Sequence, residues 1–138
     1  MAEIDNGRRL ALGLGAAYVL VGVLGFFVTG FGDFAGQTGD KLLGVFEINP
    51  LHNVVHLLIG FGGLALWKTR ETARAYGAAL VAGYGVTFVY GLFTAGKDTA
   101  ANFLSLNAAD NGLHLISAVA GVAILALLAK GTPSPART

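Results

Sequence analysis

The chain contains no cysteine, and only 12% of its residues are charged. The first absence excludes disulfides, thiolate metal sites, cysteine nucleophiles and c-type haem attachment. The second sets the chain apart from soluble domains, in which about a quarter of residues carry charge. Acids and bases nearly balance at a formal net charge of +1, so no nucleic-acid partner is indicated. Also missing are a G-x-G-x-x-G turn after a strand, a Walker loop, a paired acidic site of the kind pumps use, and a nucleophile with a base and an oxyanion donor. These gaps argue against an enzyme. What the 138 residues do hold is 54% hydrophobic side chains and 21 glycines, the balance of lipid-exposed helices. Length suggests one domain, residues 1–130, followed by a Pro-, Ser- and Thr-containing end, 131–138, expected to be a disordered cytoplasmic tail.

Four stretches lack charge: residues 10–30, 51–67, 75–96 and 111–128. A bilayer core needs about 20 helical residues, with a range of about 17 to 25. None of the four has the polar stripe that a soluble bundle turns to water. The expected fold is therefore all-α, an integral membrane four-helix bundle. The first stretch is too long for a signal-peptide core and is read as a retained span. Arg8, Arg9, Lys68, Arg70, Arg74, Lys130 and Arg137 fall on one side, against Lys41 and Lys97 on the other. The positive-inside rule places both termini in the cytoplasm. Membrane lipids are thus the first partner, in a bacterial inner (cytoplasmic) membrane or another energy-converting membrane. Within the first outer connection, "DKLLGVFEI" is read as a brief interfacial helix or an irregular segment. Phe26, Phe27, Phe31 and Phe34 are expected as packing residues and Trp67 as an interface anchor.

The second and fourth stretches match at an offset of 58 positions: Asn49 with Asn107, His52 with Asp110, Asn53 with Asn111, His56 with His114 and Gly63 with Gly121. The first and third match more weakly at an offset of 66: Tyr18 with Tyr84, Gly25 with Gly91 and Phe27 with Phe93. The expected organisation is two helical hairpins repeated in parallel, about 9–67 and 74–129, related by an axis along the membrane normal.

The matched residues form a polar cluster. Asn49, His52, Asn53 and His56 recur at spacings of three and four and share one helical face, as do Asn107, Asp110, Asn111 and His114. Asn49 before Pro50 reads as a helix N-cap, and Asn107 or Asp110 as its counterpart. For Asp110 a salt link to Lys41 or Lys97 is the second reading. Capping does not account for His56 and His114, two turns deeper, where an unpaired imidazole is costly. The bland reading is a structural hydrogen-bonded network, with an Asn or Asp of the opposing helix as each partner. The sharper one is a ligand site built by His52, His56 and His114. Zinc or copper would use the i, i+4 imidazoles with Asp110 as a fourth ligand. Haem would use His56 and His114, and a pigment or quinone contact is a further form. A catalytic HExxH is not made, since Asn53 holds the glutamate position of "HNVVH". Movement of protons or solute is the remaining possibility. Tyr18 and Tyr84 are expected to fill the bundle, each hydroxyl bonded to a facing carbonyl. Small residues four apart, such as Ala11 and Gly15, Gly13 and Ala17, Ala73 and Gly77, Ala79 and Gly83, and Ser117 and Gly121, imply a tight bundle without a wide pore.

The segments "LLGVFEINPLHNVVHLLIGFGGLAL" and "LSLNAADNGLHL" resemble the bacterial DUF4383 membrane family, over residues 9 to about 128. The resemblance implies four spans and marks Asn49, Pro50, His52, Asn53, His56, Asn107, Asp110, Asn111 and His114 as recurrent polar positions. It implies no reaction. Gly112 departs from the bulkier residue expected there, which implies looser packing near His114. The function expected is that of a small structural or accessory membrane protein, an auxiliary subunit of a larger membrane complex. A haem, pigment or metal binder and a small transporter are the alternatives.

Overall fold

Each helix begins where local chemistry tells it to. Asp5, Asn49, Thr69 and Asn107 have extended backbones, and each side chain accepts a hydrogen bond from an N–H three residues on, which satisfies one of the free donors of a helix start. From these caps run α1 (Asn6–Thr29), α2 (Pro50–Leu66), α3 (Arg70–Thr94) and α4 (Ala108–Ala129). The computed structural model describes residues 4–37 and 39–130. The expected tail at 131–138 lies outside the described residues.

The fold is all-α apart from one small ribbon. α1, α3 and α4 have 24, 25 and 22 residues and each holds an 18-residue stretch of mean hydropathy 2.2, 1.4 and 2.3 respectively, long and apolar enough to cross a membrane. α2 has 17 residues, about 26 Å at 1.5 Å per residue, a little short of the roughly 30 Å hydrocarbon layer. Most large side chains on the outer faces are apolar, among them Leu20, Leu58, Val86, Leu92 and Ile116. Such a surface suits lipid rather than water.

The segment read as an interfacial helix or an irregular stretch is instead a ribbon: β1 (Lys41–Leu42) pairs antiparallel with β2 (Phe46–Glu47). Leu43 and Gly44 take φ of 53° and 72°, the pair of positive angles that a mirror-type hairpin turn requires. Lys41 faces Glu47 across the ribbon at 3.7 Å. Phe27, Phe31 and Phe34 stand exposed rather than packed inside, and Phe26 stacks on Phe31 at 4.9 Å.

α1 packs chiefly along α2, and α3 along α4. Glycine makes both approaches possible. A Cβ on Gly63 would lie 2.6 Å from the Cα of Gly15, and one on Gly121 would lie 2.7 Å from the carbonyl oxygen of Gly77. Not every small pair serves: Gly13 and Gly83 have nothing near them. Gly112 is also open, with nothing within 4 Å of where its Cβ would be.

The two ends of the bundle differ. At the arginine end, Arg8 donates through Nε to the Trp67 carbonyl at 3.0 Å and through Nη2 to the Lys68 carbonyl, with its guanidinium 5.8 Å from the Trp67 ring centre. Arg70 pairs with Asp5 at 2.8 Å and donates to the Leu128 carbonyl. Arginines thus occupy the free carbonyls at two helix ends. At the opposite, loop end, Asn49 donates to the carbonyls of Gly36 (3.0 Å) and Phe103 (2.8 Å), while Asn107 donates to that of Val45 (2.7 Å). The two loops are held crosswise, each by the asparagine that starts the other hairpin's second helix.

Candidate functional site: a histidine–tyrosine chamber

The first turns of α2 and α4 set the site. Asn49 Oδ1 accepts from the His52 N–H at 2.8 Å, with Pro50 in the first helical position. Asn107 and Asp110 form a reciprocal capping box, Asp110 Oδ2 accepting from the Asn107 N–H at 2.9 Å. The same Oδ2 accepts from the Glu47 N–H at 3.1 Å. Asp110 therefore works as a cap and a loop anchor. Neither Lys41 nor Lys97 is its partner, since Lys41 is taken up by Glu47.

One turn along, the second asparagine of each helix meets a glycine. A Cβ on Gly25 would fall on the Asn53 carboxamide, and a Cβ on Gly91 on that of Asn111. Asn53 donates to the Thr29 hydroxyl at 3.0 Å.

The imidazoles do not find the Asn or Asp partners expected of them. His52 and His114 are 3% and 4% exposed, and Nδ1 of His52, His56 and His114 is buried without a protein hydrogen-bond partner. The rings pack on rings instead. Tyr18 stacks on His56 at 5.9 Å between centres, His56 meets His52 at 4.5 Å, and His52 meets His114 at 5.9 Å. His114 stacks on Tyr84 at 5.5 Å, and Tyr84 on Tyr18 at 5.5 Å. The circuit closes, and every helix contributes to it. The tyrosine hydroxyls also depart from expectation: Tyr18 donates to Ser117 Oγ at 2.7 Å rather than to a carbonyl, and the Tyr84 hydroxyl has no partner. Thr87 returns its proton to its own helix at Gly83, 2.8 Å away.

The chamber is shut at both ends. On the loop side the backbone at Glu47 and Leu104 lies against His52, and Asn102 pins the second loop through both the N–H and the carbonyl of Leu106. On the arginine side lies the apolar core of Ala11, Ala73, Leu80, Ile124 and Leu128. Sideways it is open. A cavity of about 260 Å³ lies between α1 and α4, rimmed by the exposed Leu113 and Ile116. A second, of about 130 Å³, lies between α2 and α3 beside Val55, Ile59 and Thr87. His52, His56, Tyr84 and His114 line both. No Lys or Arg lines either cavity.

All three candidate histidines thus meet at one place, with Asp110 at the rim, Asn49 and Asn107 tying the loop backbone, and Asn53 and Asn111 packed on Gly25 and Gly91. Among the described residues, no group of three or more His, Asp or Glu side chains is arranged to hold a metal ion. Sequence reasoning undervalued Tyr18, Tyr84 and Ser117 and passed over Asn102. The offset of 66 that pairs Tyr18 with Tyr84 was the available signal for the tyrosines.

A family model with the description "Domain of unknown function (DUF4383)" matches residues 8–127. The chain belongs to the DUF4383 family. No curated protein matches it, and no solved structure does. The matched span of this DUF4383 protein runs from Arg8 at the start of α1 almost to the end of α4, so it takes in the whole chamber.

Proposed function

We propose that this DUF4383 protein is a small accessory protein of the bacterial cytoplasmic membrane that holds a lipid-soluble small molecule in its histidine–tyrosine chamber. In this reading all four helices span the bilayer, both termini are cytoplasmic and the loop end faces outward. The excess of Lys and Arg at the arginine end supports that direction. The two hairpins are like-oriented repeats. Equivalent contacts support this: Tyr18 on His56 and Tyr84 on His114, Gly25 against Asn53 and Gly91 against Asn111, and the crossed bonds from Asn49 to Phe103 and from Asn107 to Val45.

One observation carries the ligand reading. The three histidines whose Nδ1 atoms are buried without protein partners line a space that is closed toward both ends of the bundle and open sideways. Buried polar atoms without partners are few in native proteins, and each calls for an occupant, whether water or ligand. A lateral opening in a membrane-embedded bundle admits what the lipid carries. The apolar core beneath the chamber speaks against a path for protons or solute through the bundle. Cavities of 260 and 130 Å³, against roughly 300 to 1,000 Å³ for usual ligand pockets, suit a single ring better than a porphyrin.

The test is extraction from host membranes in a mild amphiphile, followed by mass spectrometry of the small molecules that accompany the protein. A lipid-soluble compound enriched with the natural protein, and lost from a His56→Phe/His114→Phe variant that keeps the rings without the nitrogens, is the expected result. Equal small-molecule content in the two proteins sinks the ligand reading.

A further inference from the structure

The two lateral cavities that His56 and His114 line are counterparts, and one difference between them is chemical. Tyr18 and His56 face the α1/α4 cavity as Tyr84 and His114 face the α2/α3 cavity. At the offset of 58 that relates α2 to α4, Ser117 in the first cavity corresponds to Ile59 in the second. The hydrogen bonding follows this exchange. Tyr18 has Ser117 to donate to, at 2.7 Å. Tyr84 meets hydrocarbon at that position, and its hydroxyl goes without a partner.

A serine hydroxyl has one proton and two lone pairs. Tyr18 uses a lone pair and leaves the proton. Thr87 and Thr94 return theirs to helix carbonyls four residues back, at 2.8 and 2.9 Å, whereas Ser117 makes no such bond among the described residues. Ser117 is 9% exposed and lines the α1/α4 cavity, so its proton is available to an acceptor there. A neutral imidazole adds one donor or one acceptor at Nδ1, according to its tautomer. The remaining walls are the Asp110 side chain, whose Oδ2 accepts from the Asn107 and Glu47 N–H groups, aromatic faces and aliphatic side chains, with no cation to hold a phosphate or a carboxylate.

We propose that the α1/α4 cavity seats the flat, carbonyl-bearing head of a quinone-class lipid. A carbonyl oxygen accepts the Ser117 proton, the ring lies among the stacked Tyr18 and His56 rings, and the apolar tail leaves between Leu113 and Ile116 into the bilayer. This rests on the lateral-site reading above and narrows it to one ligand class and one of the two openings. The α2/α3 cavity, at about 130 Å³ against about 260 Å³, offers such a head half the room.

The test is native mass spectrometry of the full chain with added decylubiquinone, and with decylbenzene as a ring with a tail but no carbonyl. One decylubiquinone per chain is expected, with decylbenzene bound at least tenfold more weakly. Ser117→Ala should weaken decylubiquinone about fivefold, the size of one net hydrogen bond, and Ser117→Thr should restore it. Equal binding of the two probes, or identical affinity of the natural and Ser117→Ala proteins, overturns the quinone assignment while leaving a lateral hydrocarbon site. If decylubiquinone does not bind but another compound accompanies the protein from host membranes, the ligand class alone is wrong. If neither occurs, the lateral-site reading falls with it.

Discussion

At the scale of single residues, the asparagines carry more of the fold than the histidines do. Asn49 is fully buried, caps α2 and ties two loop carbonyls. Replacing Asn49 by Ala removes a cap worth about 1 kcal/mol and strands carbonyls at about 1–3 kcal/mol each. Asn49→Ala should therefore lower thermal stability in detergent by several degrees at least. Asn49→Asp keeps the cap oxygen but loses the donor, and should recover only part of it. Gly25→Ala and Gly91→Ala each force a methyl onto an asparagine side chain and should cost about 1–3 kcal/mol, as overpacking does. Gly13→Ala meets open space and should leave the melting temperature within a degree or two. The caps were readable from sequence because capping is chemistry between neighbours in the chain: Asn before Pro at 49–50, Asn three before Asp at 107–110. The surroundings of His56 and His114 were not, because tyrosines from the adjacent helices replace the polar partners that burial alone led one to expect.

The helices were readable as elements because the absence of charge over 17 residues or more is a signal that no tertiary contact can mask. The ribbon Lys41–Glu47 was not. Its turn uses Leu43 and Gly44 in place of the Asn-Gly that announces such hairpins, and Leu43 at φ 53° is an uncommon choice for a bulky side chain. Leu43→Asn should relax that angle and raise stability by a few tenths of a kcal/mol or more, visible as a small upward shift in melting temperature. Recurring small residues named the right kind of contact but not the right pairs. Gly15 and Gly63 meet across α1 and α2, whereas Gly13 and Gly83 look outward. A stripe of glycines tells how close two helices can come, and only the packed structure tells which face is used.

For the molecule as a whole, topology is the claim with the cleanest test, because a chain without cysteine permits labelling at single introduced thiols. In the orientation proposed, cysteines at Thr99 and Asp40 should react with an impermeant maleimide in intact cells, and one at Glu71 only after the membrane is opened. Reaction of Thr99 and Asp40 from opposite sides would end the like-oriented arrangement. The match of Asn, His and Gly at an offset of 58 was visible in sequence; the crossed bonding of the loops was not, since it runs from side chains to backbone carbonyls that any residue can supply. Asn49 reaches Phe103, and Asn107 reaches Val45. During synthesis, then, the first hairpin leaves the ribosome with the rim at its loop end unfinished. Asn49 has to wait for a stretch of chain more than fifty residues downstream, and a nascent polypeptide halted after α3 should remain open to protease at its first loop until the last helix arrives to fasten it.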